Sequence, residues 1–180
     1  MSIGKMIRKS AVLLSICIAL PLSAEVLGSW PDGGGKMIQP YASPRKSVKF
    51  MSSKTEFTVE LKADLSAKAK AQIEFKKSYT LTAGKKYRFT VEAKADQEIE
   101  INAGIIIAQA PYSSIPKSWK KFQLNQDYKT FSHEFVADKD YNVAIYAPIL
   151  VVSSGNAGTK ITIRKVTFEK IDDTSLPQQK

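Results

Sequence analysis

The clearest pattern in the chain lies in residues 71–95, where apolar and polar side chains alternate in two stretches on either side of a glycine. In the second stretch the odd-numbered residues from Tyr87 to Ala95 are apolar or small, and the even-numbered ones are polar or charged. A period of two places alternate side chains on opposite faces of a β-strand. Gly84 can take a positive φ at little cost, as a tight connection requires. We therefore predict two strands joined through a glycine turn.

Similar alternation recurs along most of the chain. Two strands are predicted within residues 47–65, and others at 97–108, 122–124, 128–136, 141–152 and 160–170. The sequence has no convincing helix and no internal repeat at a solenoid or propeller period. Short strands at regular spacing predict an all-β fold, an antiparallel β-sandwich of the jelly-roll type.

Residues 1–24 have the parts of a secretory signal peptide. A basic segment comes first, an apolar or small run follows over residues 11–20, and Pro21 precedes small residues. The run is shorter than the roughly 20 apolar residues of a spanning helix. We expect cleavage after Ala24, with cleavage after Gly28 and retention as an uncleaved anchor as the alternatives. The expected location is therefore secreted or periplasmic.

The charge and the cysteine content limit the partners and the reactive groups expected of the chain after signal cleavage. The sequence carries 27 Lys and Arg against 17 Asp and Glu, a net charge of +10. Signal cleavage would remove three basic residues and the only cysteine, Cys17, which leaves no disulfide and no thiolate ligand. The remaining charge of about +7 favours anionic partners such as acidic polysaccharide, lipopolysaccharide or nucleic acid. The alternative is a solvated lysine-rich surface, since the lysines are spread along the chain.

Composition also divides the chain into segments. Residues 25–46 are rich in glycine, proline and serine, which predicts an irregular N-terminal segment. Its Trp30 fits either a buried or a binding role. The sandwich is expected over residues 47–171, and residues 172–180 are expected to form a polar tail.

The order of residues through the central strands resembles a known family. The matching residues are Leu-Thr-Ala-Gly-Lys-Lys-Tyr at 81–87, Phe89, Glu-Ala-Lys-Ala at 92–95, Leu124, Asp-Tyr-Lys-Thr-Phe at 127–131, Phe135 and Val166. This order is similar to that of the carbohydrate-binding modules of families 4, 9 and 22, which are galactose-binding-like β-jelly rolls. The resemblance covers roughly residues 71–171 and is more specific for fold than for function. It implies a non-catalytic module that binds polysaccharide, acidic or neutral.

Two positions depart from the family pattern. Tyr128 stands where the family usually has Trp, a tolerable exchange at a core position. Arg164 and Lys165 stand where the family tends to have acidic residues, which often serve a structural calcium ion. Calcium takes oxygen ligands, which these side chains do not supply. We therefore expect no metal and no cofactor.

The resemblance implies a concave sheet face on which aromatic rings stack against sugars and polar side chains pair with hydroxyl groups. Strand phase turns five side chains away from the core, those of Arg88, Thr90, Glu92, Asn102 and Tyr146, and two aromatic residues of a long loop are placed to close over that face. The predicted ligand-binding residues are Arg88, Glu92, Asn102, Tyr112, Trp119 and Tyr146. The alternatives are a packed position for Tyr146 and a plug at one end of the sandwich for Trp119.

A catalytic role is not expected. His133, the only histidine, falls in phase with Phe131 and Phe135, which favours a buried or half-buried strand residue over a base. No nucleophile-elbow pattern accompanies the serines. Glycosidic cleavage needs two carboxylates, and no pair stands out among Glu74, Glu92, Glu98, Glu100 and Glu134.

The main alternative to glycan binding is a structural or adhesive cell-envelope protein that uses the same sandwich for contact with another protein. Nucleic-acid binding is not expected, because lysines and aromatic residues interleave only around residues 112–122.

Overall fold

The computed structural model describes residues 24–33, 38–66 and 69–172. These residues form eleven strands and one short 3-10 helix, Arg45–Ser47. The strands are β1 (Ala24–Trp30), β2 (Ile38–Ser43), β3 (Val48–Ser52), β4 (Phe57–Leu61), β5 (Lys70–Leu81), β6 (Lys86–Ala95), β7 (Ile99–Ile107), β8 (Lys120–Leu124), β9 (Lys129–Val136), β10 (Tyr141–Val152) and β11 (Lys160–Ile171). Within the described ranges, no helix is long and apolar enough to cross a membrane.

The strands pair into two antiparallel sheets, which confirms the predicted sandwich. Sheet A has the order β3-β4-β11-β6-β9, and β1 pairs with part of β11. Sheet B has the order β2-β5-β10-β7-β8. The sandwich therefore has two outer faces, one on each sheet, with the core between them.

Strand β6 shows how alternation builds the core. Its odd-numbered side chains are buried and its even-numbered ones are partly exposed, as the sequence predicts. The Tyr87 ring stacks with Phe135 at 5.8 Å and with Phe168 at 5.9 Å between ring centroids. Each such side chain contributes about 1.5–3 kcal/mol of transfer free energy on full burial. This layer therefore ties β9, β6 and β11 together.

The glycine turn is confirmed, and it connects the two sheets. Gly84 has a φ of +74°, the left-handed region that favours glycine. Strand β5 pairs with β2 and β10 in sheet B, whereas β6 pairs with β11 and β9 in sheet A. The chain therefore crosses the sandwich between Leu81 and Lys86. As a result, the polar side chains of β5 and β6 face opposite sides of the molecule.

Residues 25–46 are the clearest correction to the sequence analysis, because they contribute β1 and β2 instead of an irregular segment. Trp30 is buried and meets the Phe75 ring edge-on at 5.1 Å. Strand β2 lies at the edge of sheet B. Pro40 is tolerated there because no further strand of the described residues pairs with the outer edge of β2, so its missing amide hydrogen breaks no hydrogen bond on that side. Proline here therefore belongs to an edge strand, and Gly28 lies at a register shift of β1 against β11. The predicted signal up to residue 23 and the tail from residue 173 lie outside the described residues.

Candidate functional site

A cleft of about 530 Å³ lies on the outer face of sheet B. Strands β2 and β5 supply one side, β7 and β10 supply the floor, and the loop between β7 and β8 supplies the other side. The lining residues are Gln39, Pro40, Tyr41, Lys70, Gln72, Glu74, Ile106, Tyr112, Ser114, Trp119, Tyr146 and Ile149. The cleft therefore crosses the sheet from its β2 edge to the Trp119 loop.

The floor of the cleft is apolar, although it lies on an outer face. Ile106, Tyr146 and Ile149 form a buried cluster separate from the main core, with Ala108 and Val151 packed against it. Strand β10 shifts register against both neighbours between Tyr146 and Ile149. One extra residue at this bulge resets the alternation, so both side chains point outward. The bulge therefore places two large apolar side chains side by side on the floor.

Tyr146 also carries the polar contacts of the floor. Its hydroxyl donates a long hydrogen bond of 3.4 Å to Oε1 of Gln39. Burial, followed by the charge of Glu74 and a hydrogen bond with that carboxylate, raises the pKa of Tyr146 to about 12. The phenol therefore stays protonated at neutral pH. Gln39, Gln72 and Glu74 line the same side of the cleft and supply amide and carboxylate groups.

Aromatic side chains line the rim. Of the five large apolar or aromatic side chains that are exposed among the described residues, three line this cleft: Tyr41 at 47%, Tyr112 at 57% and Trp119 at 37%. Clustered exposed apolar surface around a concavity is typical of a binding site, whereas scattered exposure is ordinary.

Trp119 lies against the backbone of Gly104 on β7. A Cβ atom added at Gly104 would lie within 2.8 Å of Cδ2, Cε2 and Cε3 of the indole. Three fused-ring atoms at similar distance mean that one face of the ring covers the glycine. The opposite face of the indole is the one available to the cleft, so Trp119 offers a flat surface to a ligand.

Four of the six predicted ligand-binding residues lie on or above sheet B. Tyr112, Trp119 and Tyr146 line the cleft. Tyr146 is only 5% exposed, so it forms floor and not rim. Asn102 lies on the same outer face, two residues before Gly104, but it is not among the lining residues.

The other two predicted residues, Arg88 and Glu92, lie on β6 and face outward from sheet A. The core separates them from the cleft, so the six residues do not form one site. Strand phase shows which side chains face away from the core, but it does not show which sheet a strand joins. This is the physical reason for the split.

Arg88 and Glu92 are also committed to ion pairs. Arg88 lies 2.9 Å from Glu169 and 3.6 Å from Glu134. A hydrogen bond from Arg164 to the Glu92 carboxylate, 2.5 Å long, holds the pKa of Glu92 below its usual value. Both side chains are therefore already paired with opposite charges on the outer face of sheet A.

The position where the family pattern has acidic residues holds cations. Arg164 pairs with Glu92, and its guanidinium lies 4.2 Å from the centre of the Tyr128 ring. Tyr128 in turn donates a hydrogen bond to Glu56. Arg164 and Lys165 offer no oxygen ligand, so these residues do not fit a calcium ion. Within the described residues, no three His, Cys, Asp or Glu side chains group in a way that could hold a metal.

The cleft includes residues that the sequence analysis did not select: Tyr41, Gln39, Gln72 and Glu74. Gln72 and Glu74 are the polar residues of the alternating pattern at the start of β5, so this pattern could have identified them as outward-facing. Tyr41 and Gln39 lie in the segment predicted to be irregular, where no face was assigned. Glu74 is the only carboxylate among the described lining residues, whereas glycosidic hydrolysis ordinarily needs two.

His133 is a half-buried strand residue, as the sequence predicts. It lies on β9, with its ring 5.7 Å from that of Phe89. Its Nε2 atom lies 2.9 Å from the carbonyl oxygen of Lys117, in the loop that carries Trp119. His133 therefore connects sheet A to the wall of the cleft and is not among the residues that line it.

No protein-family model matches the sequence, and no curated protein matches it. Solved structures do show a similar fold. A CBM4 structure is 17% identical over 79% of this chain and 84% of its own, with a TM-score of 0.54. The second N-terminal cellulose-binding domain of Cellulomonas fimi β-1,4-glucanase C is 13% identical over 89% of this chain and 98% of its own, with a TM-score of 0.56.

A third similar structure is the CBM22-1 xylan-binding domain from Paenibacillus barcinonensis Xyn10C. It is 9% identical over 85% of this chain and 99% of its own, with a TM-score of 0.52. At these identities the likeness shows a shared fold. The predicted resemblance to the β-jelly rolls of carbohydrate-binding modules is therefore confirmed for the architecture.

Proposed function

We propose that this protein is an exported, non-catalytic binding protein whose ligand is a polysaccharide, held in the cleft on the outer face of sheet B. The observation that carries the proposal is the grouping of Tyr41, Tyr112 and Trp119 at 37–57% exposure around one apolar floor. Exposed rings lose contact with water when they bind, so their grouping in one concavity favours a ligand with apolar faces.

A sugar chain matches this combination of surfaces. The CH groups on a pyranose face stack on aromatic rings, while its hydroxyl groups require donors and acceptors. Gln39 and Gln72 supply both kinds of group, and the Glu74 carboxylate accepts hydrogen bonds. The indole of Trp119, with one face on Gly104, offers a flat surface of the size of a sugar ring.

The similar structures support the ligand class. One is a cellulose-binding domain and another is a xylan-binding domain, and both have a similar fold over most of this chain. We carry over only the class, polysaccharide, neutral or acidic. Export rests on the signal-like pattern of residues 1–24, and a secreted or periplasmic location follows from it.

Native affinity electrophoresis tests the proposal. The mature protein is run through gels that contain neutral or acidic polysaccharides, at low and at high salt. We expect retardation by at least one polysaccharide, and loss of about tenfold or more in affinity for Trp119→Ala. Val136→Ala is the matched control, because Val136 is also exposed, at 44%, but is not a lining residue.

Each outcome has a distinct meaning. Retardation that survives high salt and disappears in Trp119→Ala supports a stacking site in the cleft. Retardation only by acidic polymers, lost in salt and unchanged in Trp119→Ala, means that surface lysines are responsible and contradicts the proposed site. No retardation by any polysaccharide contradicts the function and favours the structural or adhesive alternative.

A further inference from the structure

The orientation of Trp119 depends on the absence of a side chain at Gly104. Gly104 is buried and faces the same side of β7 as Ile106, directly beneath the indole. A Cβ at this position would come within 2.8 Å of three ring atoms, closer than real Cβ contacts permit. Any other residue at 104 would therefore push the ring away from the sheet.

The loop that carries Trp119 takes the place of a strand along the edge of β7. Strand β8 pairs with β7 only from Ile99 to Ala103. Beyond that point, the amide of Ile107 donates to the carbonyl of Ser113, and the amide of Ile115 donates to the carbonyl of Ile105, each at 2.9 Å. The loop therefore continues the hydrogen bonding of the sheet next to Gly104.

Ser118 completes this pairing with its side chain. Its hydroxyl is fully buried, accepts a hydrogen bond of 3.0 Å from the amide of Ile105, and donates one of 2.7 Å to the carbonyl of Ile115. The buried amide of Ile105 would otherwise have no strand partner at this edge. Because Ser118 is adjacent to Trp119 in the chain, the hydroxyl fixes the point from which the indole extends.

We propose that Gly104 and Ser118 are positioning residues that hold the indole of Trp119 flat on β7, with one face turned to the ligand. The inference rests on the proposed function for its meaning, since a platform needs a ligand, but the orientation itself is testable without one. Gly104 makes room for the ring, and Ser118 anchors the chain on which the ring is carried.

Acrylamide quenching of tryptophan fluorescence in the full chain tests the orientation without ligand. The protein has two tryptophans, and Trp30 is only 2% exposed, so quenching reports mainly on Trp119. We expect Gly104→Ala and Ser118→Ala each to raise the quenching constant, because the covered face of the indole becomes accessible. Ser132→Ala, at an exposed serine on sheet A, is the control and should leave it unchanged. Unchanged quenching in Gly104→Ala and Ser118→Ala would overturn the proposal.

A double-mutant cycle separates positioning from a general effect on folding. Gly104→Ala should lower Tm by about 2–8 °C when Trp119 is present, because the added methyl group collides with the ring. In the Trp119→Ala background the same change should leave Tm equal or higher, since alanine is preferred to glycine within a strand. An equal loss in both backgrounds would mean that Gly104 acts independently of Trp119.

Ligand binding gives the last arm of the test, with the polysaccharide that retards the wild-type protein as the probe. Gly104→Ala should weaken binding about as much as Trp119→Ala does, and the double variant should be no weaker than Trp119→Ala alone. Full binding by Gly104→Ala would overturn the positioning role. If no polysaccharide retards the wild type, the proposed function fails, while quenching and the cycle still decide the orientation.

Discussion

The hydroxyl of Tyr146 on β10 reaches Gln39 on β2, across the strand β5 that lies between them. Burial, together with the charge of Glu74 on β5, raises the pKa of the same hydroxyl to about 12. Three neighbouring strands thus share one polar group above an apolar floor. A floor tied in this way loses little conformational freedom when a ligand binds, which favours affinity.

The buried position of Tyr146 in the floor of the cleft predicts that its hydroxyl ionises at an unusually high pH. Burial is the main cause that raises the pKa of Tyr128, Tyr141 and Tyr146 to about 12, and hydrogen bonds to Glu56, Asp138 and Glu74 add to it. We expect Tyr128, Tyr141 and Tyr146 to ionise near pH 12 in the folded protein, as measured by ultraviolet absorbance of phenolate. Tyr146→Phe should remove one late tyrosine.

The same shifts predict loss of stability in alkali. A folded-state pKa above the unfolded value of 10 contributes stability that is complete below pH 10 and is lost as the pH rises through about 12. The free energy of unfolding of Tyr146→Phe should therefore fall less between pH 10 and 12 than that of the wild type. Titration of every tyrosine near pH 10 in the folded protein would contradict this account.

Gly33 tests whether the turn that follows β1 packs closely against sheet A. It follows β1 with a φ of +69°, and a Cβ there would lie within 3.0 Å of the Phe57 amide nitrogen and the Ile163 carbonyl carbon. Gly84 is the matched control, since its φ is +74° but nothing lies near a Cβ. We expect Gly84→Ala to cost about 1–2 kcal/mol from backbone strain alone. Gly33→Ala should cost at least about 1 kcal/mol more, by chemical denaturation. Equal costs would mean that the turn at Gly33 is not packed against Phe57 of β4 and Ile163 of β11.

The ion pair between Glu92 and Arg164 predicts a small, pH-dependent contribution to stability. The pKa of the Glu92 carboxyl group lies below its usual value of 4.5 in the folded protein. The contribution of this group to stability is therefore present above pH 4.5 and is lost as the pH falls through the folded-state pKa. Because the pair lies at the surface, Glu92→Gln should change the free energy of unfolding by less than about 1 kcal/mol at neutral pH. Glycan binding should not change, and a large loss of affinity in this variant would place the site on sheet A.

Alternation along the chain predicts much of the fold. It identifies β6 and its buried residues, and it places β9, β10 and β11 within a few residues of their bounds. Strands with one buried face must alternate, so the signal is direct. The glycine turn is also predicted, because the left-handed conformation at Gly84 is costly for other residues.

The assembly of the sheets is not predicted by alternation. Arg88 and Tyr146 both satisfy the rule of facing away from the core, yet they lie on opposite sides of the molecule. Tyr41 is missed because it lies in a segment whose glycine, proline and serine content predicts irregular structure. Pro40 is in fact tolerated there, because β2 lies at the edge of its sheet. The position of the Trp119 ring depends on Gly104, which is 15 residues away in sequence and contacts the ring only in the folded protein.

The account centres on the outer face of sheet B, and comparison of Tyr41→Ala with Arg88→Gln tests it most directly. Both residues are on outer faces, but only Tyr41 lines the cleft. Affinity electrophoresis should show loss of about tenfold or more for Tyr41→Ala and wild-type retardation for Arg88→Gln. Wild-type retardation of Tyr41→Ala, together with loss in Arg88→Gln, would place the ligand on sheet A and contradict the proposed site.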